Sequence, residues 1–127
     1  SLIKDSATRE IIFKSGWEFF YTEISFHEIH KYKNLILKKS TIKEDDLFEF
    51  LSSFFSLITL IYDEEIFENL NKARNIMEDI DPDDVVFVAA SLSQADSIIW
   101  SDDKHFDQQD EIKILKSVDA VKLFNSK

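Results

Sequence analysis

An α/β fold with a central, mostly parallel sheet is the architecture this sequence predicts, on three observations. Short hydrophobic runs alternate with longer segments of helical periodicity, the pattern of strands joined by helical crossovers. A single Gly and a single Pro leave few points at which the chain can turn, which favours long helices and short connections over an all-β fold. Hydrophobic residues make up 44% of 127 positions, with twelve Phe among them. That is enough for one sizeable core and too apolar for a disordered chain, so residues 1–127 are expected to form a single domain.

The elements follow in order. Residues 6–15 read as a helix carrying Ile11 and Ile12, with Gly16 placed where helices commonly stop. Residues 17–21 read as a buried strand. Ser25, Ile29, Tyr32 and Ile36 recur at helical spacing through a segment that ends near Lys39. Residues 41–55 repeat the pattern, with Thr41 as cap and Leu47, Phe48, Leu51, Phe54 and Phe55 as the apolar stripe. Residues 57–61 form a β-rich run. Residues 63–80 form a helix with Ile66, Leu70, Ala73 and Met77 on one side. Asp81, Pro82 and two further acids open the next helix, as cap, first residue and first turn, and it runs to about Ala95. Residues 97–101 and 112–115 are strands, and residues 117–124 a closing helix.

Composition narrows the function. The absence of Cys excludes disulfides and thiolate metal sites and fits the cytoplasm. No apolar stretch approaches the ~20 residues of a membrane span, and the start Ser1-Leu2-Ile3-Lys4-Asp5 is no signal peptide, so no membrane role is expected. A single Gly rules out a phosphate-binding Gly-rich loop. The net charge of −10 weighs against nucleic acid, which normally leaves a basic footprint. It suits instead a basic protein partner, and acids that hold a cation.

Parallel sheets place their chemistry at the carboxyl ends of strands, where Asp102 and Asp103 follow the run 97–101. The segment Asp81-Pro82-Asp83-Asp84-Val85-Val86-Phe87-Val88-Ala89-Ala90, followed by Ile98-Ile99-Trp100-Ser101-Asp102-Asp103-Lys104-His105-Phe106, resembles the C-terminal half of a PIN domain. Asp84, Ser101, Asp103 and Phe106 match that family's pattern of a helix-opening Asp and a strand ending in Ser or Thr, any residue, Asp and shortly a Phe. Upstream, Thr22-Glu23-Ile24-Ser25-Phe26-His27-Glu28-Ile29 resembles the segment carrying the family's helical Glu, which maps onto Glu28. The resemblance covers nearly the whole chain.

It implies a three-layer α/β/α domain, a cluster of carboxylates holding Mg2+ or Mn2+, and hydrolysis of RNA phosphodiester bonds. Glu28, Asp84 and Asp103 become catalytic metal ligands, with Asp102 as a further candidate one residue away, and Ser101 orients a ligand or substrate. One departure stands beside these matches. PIN domains begin with a strand ending in Asp, and no such strand precedes residue 6. Asp5 follows too few residues to be its end. The expectation is therefore a domain truncated at its N-terminus.

Each acid also has a plain structural reading. Glu28 can be a carboxylate at the edge of the core paired with a Lys. Asp84 can simply favour the first turn of its helix, as Asp81 does by capping and Asp83 in solvent. Asp102 and Ser101 can be turn residues. His27, His30 and His105 lack zinc-site spacing and read as solvated. The Phe-rich segment holding Phe48, Phe50, Phe54 and Phe55 reads as helical core, with a homodimer or antitoxin contact as the other use. The expected function is a PIN-type endoribonuclease, either the toxin paired with a basic antitoxin or an RNA-processing enzyme. The alternative is a binding or scaffold module lacking the first Asp.

Overall fold

The computed structural model describes residues 6–31 and 43–126, and the chain divides into two compact units, Ser1–Leu60 and Ile61–Lys127. Its order of elements is mixed α/β, as the alternating pattern predicts. Among the described residues the strands pair two by two, β1 with β2 and β3 with β4, rather than as one continuous sheet.

In the first unit, α1 (Ser6–Lys14) buries Ile11 and Ile12 and ends where the sequence says it should. Ser15 N–H still bonds to the Ile11 carbonyl at 2.9 Å, and Gly16 then adopts φ 73°, a left-handed conformation that costs a residue with a Cβ. Strand β1 (Phe19–Thr22) leads into α2 (Glu23–Lys31). There the Thr22 hydroxyl accepts a bond from the Ser25 N–H at 3.3 Å, which satisfies one of the free donors of the helix start. The rest of the segment expected to run to Lys39, and the Thr41 cap, lie outside the described residues. Helix α3 (Glu44–Ser56) starts instead with three acids, Glu44, Asp45 and Asp46, which complement the positive end of the helix dipole. Its buried side carries Leu47 and Phe54, and Phe55 meets the edge of Phe26 with ring centroids 4.6 Å apart. Phe48, expected in the apolar stripe, is 67% exposed. Strand β2 (Ile58–Ile61) follows.

The second unit opens with α4 (Asp63–Glu68) and α5 (Leu70–Met77), where the sequence suggests one helix through residue 80. The break falls at Asn69, whose side-chain amide donates to the Glu65 carbonyl at 3.0 Å. This is the local competition for backbone acceptors by which Asn disfavours helix interiors. A 3₁₀ turn (Pro82–Asp84) then feeds α6 (Val85–Ser93), which packs on α4 and α5. Ala73 and Met77 of α5 and Val88, Ala89 and Ala90 of α6 are buried, small residues letting the helices close on one another.

Strands β3 (Ile99–Trp100) and β4 (Ile114–Leu115) are parallel, pairing Ile99 with Ile114 and Trp100 with Leu115. Both are shorter than the runs that predicted them, and the connection between them is a second 3₁₀ turn (Lys104–Gln108) instead of a helix. The connecting loop is pinned by one side chain. Gln109 Oε1 accepts from the Ile112 N–H at 2.8 Å and the Glu111 N–H at 3.1 Å, while its Nε2 donates to the carbonyls of Phe106 and Ile112. Helix α7 (Ser117–Asn125) closes the chain, tied to the end of β3 by the Trp100 indole N–H on Ser117 Oγ at 3.0 Å. No helix among the described residues is long and apolar enough to cross a membrane.

The Gln109 amide satisfies four backbone groups of a loop with no regular structure. Gln109→Ala is therefore expected to lower the unfolding free energy by roughly 2 kcal/mol. Urea denaturation measures this, and a change within experimental error would show that water replaces the amide without loss.

Candidate metal centre

The parallel β3–β4 pair sends the end of β3 toward the N-terminal end of α6, and four chemically active side chains of the second unit meet there. Asp81, Asp84, Asp103 and His105 each offer a ligand atom, and these atoms all lie within 4.8 Å of one another. Local structure places each of them. Asp81 is the cap of the 3₁₀ turn, its Oδ1 accepting the Asp83 N–H at 3.0 Å. Pro82 at the next position has its backbone preset for the turn. Asp84 ends that turn and enters α6, buried like Val88 one helical turn later. Asp103 caps the second 3₁₀ turn, its Oδ1 accepting the His105 N–H at 2.9 Å. The Ser101 hydroxyl in turn accepts the Asp103 N–H at 3.1 Å.

The expected acids fare differently. Asp84 and Asp103 are brought together. Asp102 is not part of the group, and its Oδ1 accepts the Ser117 N–H at 2.8 Å, steadying the start of α7. Ser101 plays the turn role while holding Asp103. Asp83 is exposed, as expected. Glu28 lies on α2 of the first unit, and its side chain is outside the described residues. Two members were read otherwise from the sequence. Asp81 caps as expected, but its second oxygen also faces the cluster. His105, read as solvated, puts Nδ1 2.8 Å from Asp81 Oδ2 and 3.2 Å from Asp103 Oδ1. The available signal was its position two residues after Asp103, which a cap-and-turn geometry converts into proximity.

Electrostatics divides the two central carboxylates. Burial, then the neighbouring charges of Asp81 and Asp103, push the Asp84 carboxyl from its ordinary 3.8 up to about 6. Its Oδ2 is buried with no hydrogen-bond partner among the described residues. Asp103 moves the other way: the backbone N–H of His105 holds its carboxyl below the usual range. An orphaned buried carboxylate oxygen crowded by two further carboxylates is a set of hard oxygen donors that a divalent cation would satisfy. These residues fit such an ion, and the acidic cluster can bind one.

The sequence model of the PIN domain matches residues 1–114. The chain belongs to the PIN domain family, a family whose function is of nuclease type and generally uses a divalent metal. Among curated proteins and solved structures nothing matches the chain at a significant level.

The raised carboxyl of Asp84 makes metal-free stability depend on pH. Because its folded-state value lies near 6 and its ordinary value at 3.8, the folded chain binds more protons between them. That contribution to stability is complete below about pH 3.8 and is lost as pH rises through 6. A shift of this size corresponds to roughly 3 kcal/mol. Asp84→Asn, with chelator present, is therefore expected to be more stable than the native chain at pH 7.5 and to lose that advantage toward pH 4. Urea midpoints across this range measure it. A difference that does not vary with pH would show that Asp84 ionises normally.

Proposed function

We propose that the protein is a metal-dependent endoribonuclease of PIN type that hydrolyses RNA phosphodiester bonds. We further propose that it is the toxin of a toxin–antitoxin pair, acting in the cytoplasm as a homodimer against a basic antitoxin. The observation that carries the nuclease reading is the buried Asp84 oxygen, unpartnered among the described residues, grouped with Asp81 and Asp103 in a chain of this family. The −10 charge supports the choice of a basic partner.

In this reading Asp84 and Asp103 hold Mg2+ or Mn2+, and the family pattern adds Glu28 as a further carboxylate. When bound, such an ion lowers the pKa of water and offsets the charge that develops on a phosphoryl group. The chain's own residues supply position. Asp103 is fixed by bonds from its neighbours, since the Ser101 hydroxyl accepts its N–H and His105 donates to its carboxylate. The His105 N–H holds the Asp103 carboxyl below the usual range, which favours the anion. Asp84 supplies a second oxygen whose charge is costly unless a cation meets it. Asp102, by holding the start of α7, keeps the loop after β3 in place, and Ser101 orients Asp103 beside its proposed role toward substrate.

The test is cleavage of a mixed RNA with Mn2+ by the native protein, Asp103→Asn and Glu28→Gln. The native protein is expected to cut, and each variant to lose at least about 100-fold in rate while keeping its circular dichroism. Native protein that is folded and cuts no RNA with any divalent ion would overturn the nuclease reading in favour of a binding module. Cleavage unchanged in Glu28→Gln would remove Glu28 from the site.

A further inference from the structure

The donor set around Asp84 is not all oxygen. His105 Nδ1 sits 2.8 Å from Asp81 Oδ2 and 3.2 Å from Asp103 Oδ1, and its nitrogen belongs to the same 4.8 Å group as the Asp84 carboxylate. Adjacent donors on an octahedral cation, each about 2.1 Å from the metal, stand about 3 Å apart, and opposite ones about 4.2 Å. The separations of this nitrogen from its two carboxylate neighbours are those of adjacent donors on one ion. The unpartnered Asp84 Oδ2 is more than nine-tenths buried, independent of His105, and marks the same place as short of a cation.

We propose that His105 is itself a metal ligand, through Nδ1, and that Asp81 joins it, so that the centre is a mixed nitrogen and oxygen site. This rests on the metal-dependent reading above and goes beyond it in naming the ligands and the class of ion. Without metal, Nδ1–H donates to the facing carboxylates; on binding, the ion takes the place of that proton, which leaves to solvent, and the imidazole keeps its hydrogen on Nε2. The ring is half exposed, which leaves the hydrogen on Nε2 a route to water. Imidazole suits transition ions, whereas Mg2+ prefers an all-oxygen set completed by water. The centre therefore takes Mn2+ and its transition-row neighbours ahead of Mg2+. Asp81 performs two tasks with its two oxygens: Oδ1 caps the turn and Oδ2 faces the ion.

Electron paramagnetic resonance of the chain loaded with stoichiometric Mn2+ reads the ligand directly. The expected spectrum shows spin-echo modulation from a directly bound imidazole nitrogen. The modulation should vanish in His105→Gln, which keeps His27 and His30. Calorimetric titration should show the Mn2+ dissociation constant rising about 10-fold or more in that variant, and the Mg2+ constant changing less than about 3-fold. Mn2+ that binds without nitrogen modulation, or modulation that persists in His105→Gln, overturns this assignment and leaves the metal-dependent reading intact. A native chain that binds neither ion overturns both.

Discussion

The cost of keeping a carboxylate at position 84 is the constraint around which the second unit is arranged. Asp84 Oδ2 is buried without a partner among the described residues, and such an oxygen with two like charges beside it is destabilising. Here it is held by elements that would be hard to rearrange one at a time. Asp81 and Pro82 fix the turn, and α6 is fixed in turn by close packing of Val88, Ala89 and Ala90 against α4 and α5. The strain therefore cannot relax by swinging Asp84 into water without unpacking the helix that follows. Strained polar groups that the rest of a fold overrides are characteristic of functional sites, where stability yields to chemistry.

Asp103 shows the same side chain under the opposite treatment. It sits at the surface, receives a backbone N–H, and ionises more easily than usual, whereas Asp84 ionises with difficulty. Pairs of carboxylates driven apart in this way are not interchangeable. One is a fixed anion, and the other has a charge that depends on what stands opposite it. On the proposed reading, a cation entering the cluster meets in Asp103 an anion already well accommodated and in Asp84 one whose buried charge it relieves.

How much of this the sequence carried depended on whether the signal was local. Gly16 stopping α1, Asp81 and Pro82 opening the path into α6, and the run before Asp102 becoming a strand were all legible, because capping, turn chemistry and hydrophobic runs act within a few residues. Asp84 was separable from Asp81 and Asp83 through its match to the family's helix-opening Asp. What failed needed a contact the pattern does not encode. Asn69 breaking the helix of residues 63–80 is a side-chain bond to a carbonyl four residues earlier, and Asn at that spacing more often stays in solvent. The strands at residues 97–101 and 112–115 shrank because a two-stranded parallel pair has few partners to extend against. His105 was set aside on metal-site spacing in sequence, although the cluster is assembled across 24 residues of chain from Asp81, a distance at which spacing rules say nothing.

The overall charge of −10 posed the strongest objection to a nucleic-acid substrate, and the local structure changes its weight. Net charge is a sum over the whole surface, whereas contact with a phosphate depends on charges within about 8 Å at physiological salt. Without metal, the oxygens of Asp81 and Asp103 that approach the His105 nitrogen accept its hydrogen and so are not arrayed as a bare anionic face. Lys104, directly after Asp103 in the chain, is exposed. An anionic polymer meeting such a site encounters repulsion from carboxylates only to the extent that nothing positive stands between them, and on the proposed reading a divalent ion does. The acidity of the chain and an anionic substrate are then compatible for one reason: the carboxylates that repel phosphate in the free chain are the ones that hold the charge attracting it.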